Sequence, residues 1–255
     1  LIAVQGTCRK VGLFATILSR IVNTVIQKAL LDIEERYDVR VLYACESGSR
    51  AWGFASEDSD WDGRFIYIHP RDWYLTIESR RDVIEEMLPG DLDLSGWDIR
   101  KAMLLLRKSN PPLLEWLDSP IVYRKDKAFF ERFLALSQEY YSDARCFYHY
   151  WGMAVGNVRN YFQTDLVPLK KYLYVLRPLL ACQWIEQGKG SVPMRFETLV
   201  DGVIRDSDLR SEIDGLISAK RAGGEMGKGP KLRRFRRLSN LRWCDWRERR
   251  FRLNR

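Results

Sequence analysis

The spacing of apolar residues changes along the chain and separates a mixed first half from a helical second half. From Leu13 to Ile33, apolar residues recur three and four positions apart, which predicts an amphipathic helix. Short β-branched runs then predict strands over residues 39–44 and 64–68. Three shorter extended segments are predicted at 73–77, 82–86 and 92–94. The first half therefore predicts a small sheet preceded by a helix.

From Trp97 onward the helical period dominates, and prolines mark the starts and stops. The predicted helices cover residues 98–106, 112–117, 127–140, 142–163, 169–186, 195–203 and 207–220. The pattern predicts an α+β fold in which a small mixed β-sheet domain precedes an all-helical domain. The predicted parts are an N-terminal helical segment packing on the sheet domain, the sheet domain itself, the helical domain and a tail, at residues 1–36, 37–110, 111–222 and 223–255.

Positive charge is concentrated at the C-terminus. The net charge is +8, yet 14 of the 42 Lys and Arg residues and only 3 of the 34 acidic residues lie between positions 220 and 255. Arginines and aromatic residues alternate at 231–238 and 242–250, a combination suited to phosphate backbones and base stacking. The pattern fits either RNA contact or a solvated basic tail. Four glycines, Gly223, Gly224, Gly227 and Gly229, predict a linker before it.

Composition excludes several classes of protein. No apolar run reaches the ~20 residues that cross a bilayer, and 46% hydrophobic content excludes a disordered chain. The five cysteines contain no C-x-x-C pair, which argues against a disulfide framework and a structural zinc site. Neither His69 nor His149 has a second metal ligand or a nucleophile at useful spacing, which argues against a zinc site and against a catalytic triad. We expect a cytoplasmic protein without membrane contact.

Polar residues suited to phosphate chemistry follow the first predicted strand. In the turn at residues 47–49, Gly48 lets backbone N–H groups approach a phosphate and Ser49 adds a hydroxyl. Asp60 and Asp62 point to one face of an extended backbone. Like charges so close raise the pKa of one carboxyl unless a cation lies between them, and Mg²⁺ is the usual cation beside phosphates. An acidic surface loop is the alternative, but the turn, the spacing and the flanking strands together favour a metal site.

At these residues the chain resembles a known family. Gly48-Ser49 with Asp60-x-Asp62 resembles the signature of the DNA polymerase beta-type nucleotidyltransferase superfamily. Residues 46–62 resemble more narrowly its YcgL-like branch, an RNA repair pathway polymerase beta family. Similar stretches continue at 92–101, 108–117 and 170–182, and the likeness covers about residues 20–230. The chain departs from the family at Gly63, where a β-branched residue is expected beside the metal strand, and in the arginine-rich end.

The resemblance implies a third carboxylate on a later strand, for which Asp91, Asp93 and Asp98 are candidates. Ser95 and Asp98 fit a capping box, with Ser95 as the cap, which gives Asp98 a structural role. Asp93 alternates with two leucines, as on a strand with one polar face, so we predict Asp93 and keep Asp91 as second choice. The three carboxylates would hold two Mg²⁺ ions, with Mn²⁺ as the alternative, and Asp93 would help to remove the proton of the acceptor hydroxyl.

The resemblance also implies nucleotide contacts elsewhere. The expected nucleotide-binding residues are Gly48, Ser49, Arg50, Ser59, Lys171 and Tyr172, with Arg64 and Lys170 as charge partners. In superfamily members the helical half closes over the nucleotide, so Lys171 is expected at the triphosphate and Tyr172 near the base or sugar. The competing interpretation for Lys170 and Lys171 is a solvated lysine pair at a helix start. For Arg50 and Arg64 it is that they are exposed arginines without a functional role.

The predicted reaction is in-line attack of an acceptor hydroxyl on the α-phosphate of an NTP, ATP first among them, with release of pyrophosphate. The family favours an RNA end as acceptor. A protein hydroxyl or a small molecule is the second candidate acceptor, as in other short superfamily members. A third hypothesis is a nucleotide- or RNA-binding module without turnover, such as an antitoxin-like partner, although such a module needs no paired carboxylates.

Overall fold

The computed structural model describes residues 21–164, 166–223 and 226–230. Within these ranges the chain forms two compact units. The first unit contains residues 21–51 and 60–141, and the second contains residues 52–59 together with the described residues from 142 onward. The chain therefore passes from the first unit to the second, returns to the first, and passes to the second again.

A five-stranded mixed sheet forms the centre of the first unit, with strand order β3-β4-β2-β1-β5. Its strands are β1 Arg40–Glu46, β2 Trp61–Ile68, β3 Val83–Leu88, β4 Leu92–Asp98 and β5 Val122–Lys125. Strands β2 and β4 are parallel, whereas the other neighbouring strands are antiparallel. The predicted α+β class with a small mixed sheet is confirmed.

Helices cover both faces of this sheet, because its strands alternate apolar side chains toward two separate cores. A helix over residues 21–37, here α1, packs Ile26, Leu30 and Ile33 into one core with Phe65. The opposite core contains Ile66 and side chains from three further helices. These helices are α3 Ile99–Arg107, α4 Pro111–Leu117 and α5 Lys127–Glu139. The predicted N-terminal helix thus packs on the sheet, while residues 1–20 lie outside the described ranges.

The division between the units follows residue 141, not residue 110 as the sequence analysis predicts. Strand β5 pairs with β1, and α5 packs its Phe133 against the sheet, so this stretch completes the first unit. Residues 122–125 escape prediction because four residues carry too little periodicity to identify a strand. The sheet unit is therefore larger than the predicted sheet domain.

The second unit is mainly helical, with α7 at its centre. Its helices are α6 Asp143–Tyr161, α7 Leu169–Glu186, α8 Phe196–Val203 and α9 Ser207–Arg221. A two-stranded sheet of β6 Leu166–Pro168 and β7 Lys228–Pro230 accompanies these helices and adds a small strand pair to the predicted helical domain. Part of the predicted glycine linker forms β7, and Gly229 in this strand lies directly against Leu169. The arginine-rich residues beyond 230 lie outside the described ranges.

One further local expectation is wrong. The segment 73–77 is predicted to be extended, but its first three residues belong to a short 3-10 helix, Arg71–Leu75, in which Trp73 stacks on His69. Within the described ranges no helix combines the length and the apolar content that a bilayer crossing requires. Three cysteines, Cys45, Cys146 and Cys182, are buried thiols outside any disulfide.

Two glycines allow large side chains to lie flat across the parallel strand pair. Phe65 faces Gly96, and Leu94 faces Gly63. A Cβ on Gly96 would lie 2.1 Å from the Phe65 ring, and one on Gly63 would lie 2.3 Å from Leu94 Cδ2. The departure from the family pattern at Gly63 therefore has a packing reason, because a β-branched side chain has no room under Leu94.

We expect Gly96→Ala to lower the free energy of unfolding by about 1–3 kcal/mol, because the added methyl group overlaps the buried Phe65 ring. Ser95→Ala on the same strand is the matched control, and we expect a change within about 0.5 kcal/mol. Urea denaturation of both variants measures the difference. Equal stabilities would show that the ring does not depend on the space left by glycine.

Candidate functional site

The predicted phosphate turn lies where β1 ends. Residues Gly48–Trp52 form a single helical turn, here α2, and the backbone N–H of Ser47 donates to the carbonyl of Asp62 at 2.9 Å. Gly48 has a φ of +57°, and a Cβ there would lie only 2.0 Å from Oδ2 of Asp62. Glycine is therefore required at this position by the close approach of a carboxylate, as well as by the backbone conformation.

Asp62 and Asp93 face each other on neighbouring parallel strands. They are register partners of β2 and β4. The Nη2 group of Arg64 donates to Oδ1 of Asp62 at 2.9 Å and to Oδ2 of Asp93 at 2.8 Å. Its Nη1 group donates to the carbonyls of Gly63 and Asp93, each at 3.0 Å. One guanidinium thus joins two carboxylates that lie 31 positions apart in the chain.

The three candidates for a further carboxylate occupy different environments. Asp91 lies in the β3–β4 turn with a φ of +55°. Asp98 is buried, accepts from the N–H of Arg100 as the cap of α3, and accepts from the hydroxyl of Tyr74 at 2.6 Å. This placement favours Asp93, whose catalytic role stays a prediction.

The structural role expected for Asp98 is present, but the predicted cap is wrong. Ser95 lies within β4, four residues before the helix begins, and Asp98 is the capping residue. The Asp98 side chain itself accepts the N–H of Arg100, so a capping box with Ser95 as the cap does not form here.

Asp60 immediately precedes β2 and is exposed. Its carbonyl accepts from Nε of Arg50 at 3.1 Å, and the Arg50 guanidinium lies 3.7 Å from the centre of the Trp61 ring. Among the described residues, no three His, Cys, Asp or Glu side chains come close enough together to hold a metal ion. The structure therefore brings together the pair Asp62 and Asp93, with Asp60 nearby.

The electrostatics of Asp62 reflect this crowding. Burial raises its pKa above the ordinary value, and the charges of Asp93 and Asp60 raise it further, whereas Arg64 lowers it. Its side chain keeps 27% exposure, and that of Arg64 keeps 17%. Arg64 therefore offsets part of the repulsion that the neighbouring carboxylates exert on Asp62.

Glu46 supports this site and was not singled out from the sequence. It is fully buried, and its Oε1 accepts from the backbone N–H of Asp62 at 2.8 Å. The hydroxyl of Tyr123 on β5 donates to its other oxygen. Burial raises the pKa of Glu46 to about 7, although both hydrogen bonds favour the ionised form. Glu46 lies inside the motif, but its partner Tyr123 is 77 positions away, which no local pattern indicates.

The remaining predicted nucleotide ligands lie in the second unit. The Ser59 hydroxyl bonds the backbone N–H and the hydroxyl of Ser56, each at 3.0 Å. Nζ of Lys171 lies 4.3 Å from the centre of the Tyr161 ring, and Lys170 is exposed. Their nucleotide contacts stay predictions.

Tyr172 occupies a core position. Its side chain is fully buried, and its ring packs edge-on against Phe162 with centroids 4.8 Å apart. A ring with no exposed surface has no face available for a base or sugar in this conformation. The position therefore argues against the predicted nucleotide contact and for a packing role.

Comparison with known proteins adds an independent observation. Residues 22–240 match the RNA repair pathway DNA polymerase beta family. A Bacillus subtilis (strain 168) protein named "Uncharacterized protein YcgL" is 49% identical over 194 residues, covering 76% of this chain and 75% of that protein. The crystal structure of a nucleotidyltransferase-like protein from Exiguobacterium sibiricum 255-15 aligns over 76% of this chain and 75% of its own, with 12% identity and a TM-score of 0.32. A likeness at that TM-score carries no conclusion about this chain.

In the metal-free protein, we expect Arg64→Gln to lower the free energy of unfolding by about 1–3 kcal/mol, because it leaves two half-buried carboxylates facing each other. Arg36→Gln is the matched control. Arg36 also pairs with a carboxylate, that of Glu86, but its side chain is 56% exposed, so its loss should cost less than about 1 kcal/mol. Chemical denaturation in chelator measures both, and equal losses would contradict the bridging role of Arg64.

The raised pKa of Glu46 predicts a pH effect of definite sign. Below about pH 4.5 the folded and unfolded states both hold its proton, and between about pH 4.5 and 7 only the folded state does. Stability from this group is therefore present at low pH and is lost as the pH rises toward 7. Glu46→Gln should remove this loss and gain about 1–3 kcal/mol over wild type between pH 5 and pH 8.

Denaturation curves in chelator at pH 5 and pH 8 test this expectation. Glu131→Gln, a change at an exposed carboxylate of α5, is the control and should follow the wild-type pH dependence. Parallel pH curves for wild type and Glu46→Gln would rule out the raised pKa.

Proposed function

The chain belongs to the RNA repair pathway DNA polymerase beta family, and on that premise we propose that it is a Mg²⁺-dependent nucleotidyltransferase. It transfers a nucleoside monophosphate from an NTP, ATP first among the candidates, to an acceptor hydroxyl at an RNA end. The observation that carries the proposal is the convergence of Asp62 and Asp93 from neighbouring parallel strands, beside Gly48 at the phosphate turn. Both substrates occur in the cytoplasm, where we expect the protein to act.

The donor chemistry fits a divalent ion. Asp60, Asp62 and Asp93 offer carboxylate oxygens, the hard donors that Mg²⁺ prefers beside substrate phosphates, and Mn²⁺ accepts the same set. The guanidinium between Asp62 and Asp93 supports this fit, because it occupies the place where the pair attracts positive charge. When bound, the metal supplies stabilisation of charge on the phosphate oxygens and lowers the pKa of the acceptor hydroxyl.

The protein's own groups account for the other parts of the reaction. Backbone N–H groups at Gly48 and the hydroxyl of Ser49 bind the phosphates, since Gly48 carries no side chain that would block them. The buried Glu46 holds the Asp62 backbone in place through the N–H that it accepts. Positioning of this kind matters because a displacement of about 1 Å in a reacting group can lower the rate by about 100-fold.

The chemical step would be transfer of the nucleoside monophosphate to the acceptor hydroxyl. The acceptor oxygen attacks the α-phosphorus, a new P–O bond forms, and the bond to the β-phosphate breaks to release pyrophosphate. Asp93 takes the proton of the attacking hydroxyl. For that role one oxygen of Asp93 has to be available, so Arg64 would release its bond to Oδ2 while keeping its bond to Asp62.

RNA is the favoured acceptor for two reasons. The chain belongs to a family whose name refers to an RNA repair pathway. The sequence beyond residue 230 also alternates arginine with aromatic side chains. Transfer to a protein or a small molecule, and binding without turnover, are the competing outcomes of the assay below.

We expect wild-type protein with Mg²⁺ and α-³²P-labelled NTPs to label RNA, and Asp62→Asn to reduce that labelling by at least about 100-fold, because the change removes a carboxylate that would hold Mg²⁺ beside the phosphates. Chelation of Mg²⁺ should abolish labelling, and Asp60→Ala with Asp62→Ala should do the same. The assay offers total RNA and lysate protein in parallel and resolves the products by electrophoresis.

Asp72→Asn is the control, because the Asp72 side chain is 92% exposed on the 3-10 helix and should leave labelling within twofold. Label in protein alone would replace RNA with a protein acceptor. Failure of wild type to label either, with every NTP and with both metals, would leave binding without turnover as the function.

A further inference from the structure

A polar cavity of about 250 Å³ lies within the second unit, and all of its lining residues belong to that unit. Its wall contains the aromatic residues Trp52, Phe54 and Phe196 and the three arginines Arg195, Arg210 and Arg221. Pockets that enclose a whole small molecule usually measure ~300–1,000 Å³. A cavity of this size therefore suits one group of a larger ligand.

Two of these guanidinium groups converge on the backbone of Gly53. Nε and Nη2 of Arg221 donate to the Gly53 carbonyl at 3.2 and 2.6 Å. A Cβ on Gly53 would lie 3.0 Å from Nη1 of Arg195, so this guanidinium lies directly against the backbone. The φ of Gly53 is +91°, a conformation that favours glycine. The guanidinium groups of Arg195 and Arg221 thus both lie against the backbone of Gly53, which has no side chain to exclude them.

The charge balance of the wall is uneven. Nε of Arg210 bonds both oxygens of Asp214 at 3.0 Å, and the same guanidinium pairs with Asp201, so two carboxylates more than offset its single charge. Within the described part of the chain, neither Arg195 nor Arg221 forms an ion pair, although Glu197 also lines the wall. Two neighbouring cations without paired carboxylates attract an anion.

The aromatic side of the wall is held in place. The Trp52 ring meets Tyr174 edge-on with centroids 5.9 Å apart, and the Arg177 guanidinium lies 4.8 Å from its centre. Phe54 packs edge-on against Phe196 with centroids 5.4 Å apart. Phe54 and Phe196 are buried, so the partly exposed Trp52 is the ring of this wall that a base can reach. An accessible ring beside guanidinium groups that have no carboxylate partner is the combination that binds single-stranded nucleic acid, with stacking for the base and positive charge for the phosphate.

We propose that this cavity binds a backbone phosphate of the RNA acceptor, with Arg195 and Arg221 as its ligands and the Trp52 ring against the adjoining nucleotide. The proposal rests on the proposed function and deepens it, because it assigns the choice of a polynucleotide acceptor to the second unit. The small volume favours one phosphate of a strand over the triphosphate of a free NTP.

Fluorescence anisotropy of the full chain with a labelled 12-nucleotide single-stranded RNA, without NTP and at several KCl concentrations, tests this proposal. We expect Arg195→Gln and Arg221→Gln each to weaken RNA binding by about tenfold at low salt. Each should also reduce the slope of log Kd against log salt by about 0.7, the value for one phosphate contact on a single strand. Arg195→Lys should keep the wild-type slope, since it keeps the charge.

Arg205→Gln is the matched control, because Arg205 is an exposed arginine of the same unit that does not line the cavity. It should change RNA affinity less than twofold. Arg221 also holds the Gly53 carbonyl, so a lower melting temperature in Arg221→Gln has a structural cause, and the result for Arg195→Gln is decisive.

Unchanged RNA affinity and slope in Arg195→Gln would overturn the proposal, as would a wild-type protein that binds no RNA. A loss of ATP affinity in place of RNA affinity would assign the cavity to the nucleotide and equally overturn it. The two proposals fail separately. Wild type that binds RNA through Arg195 but labels nothing contradicts the transfer reaction, whereas labelled RNA with unchanged binding in Arg195→Gln contradicts the cavity.

Discussion

The candidate site of the first unit depends on how the fold offsets the repulsion between two carboxylates that it places side by side. Parallel pairing of β2 with β4 sets Asp62 opposite Asp93, so two like charges repel each other there unless positive charge lies between them. Arg64 supplies that charge from the same strand as Asp62. A carboxylate pair held by a guanidinium is a costly element for a protein that needs only a stable sheet, since packed apolar residues stabilise as well or better. Its presence near the start of two interior strands, beside a glycine turn, fits the phosphate chemistry that we propose.

The same constraint explains the buried groups behind the pair. Gly48 leaves room for the Asp62 carboxylate, and Glu46 accepts the Asp62 N–H from beneath. Tyr123 of β5 in turn donates to Glu46. A chain of hydrogen bonds thus runs from an edge strand through a buried carboxylate to the candidate metal ligand. Such a chain fixes backbone position more firmly than side-chain packing alone, because each buried polar group would cost free energy if left without its partner.

The motif that identifies the family serves both units. Residues 46–51 lie in the first unit with the carboxylates, whereas residues 52–59 lie in the second, where Trp52 and Gly53 line the arginine cavity. Lys220 and Arg221 at the end of α9 hold this segment through Ser56 and the Gly53 carbonyl. One short stretch of sequence therefore supplies the phosphate turn of one unit and a wall of the cavity in the other. This dual use explains why the motif continues past the glycine and serine of the turn.

Local features of this protein could be predicted from its sequence. Periodicity identified the long helices, with α7 correct to the residue, and the spacing of Gly48, Asp60 and Asp62 indicated a phosphate and metal site, because each of these signals acts within about a dozen residues. Tertiary structure alone decided which later carboxylate faces Asp62, since that depends on strand register, and it alone brought Tyr123 to Glu46 and residues 122–125 to the edge of the sheet. It also buried Tyr172 and brought Arg195 and Arg221 together at Gly53. These outcomes depend on contacts between distant segments, which hydrophobic packing and strand pairing select and which no local pattern encodes.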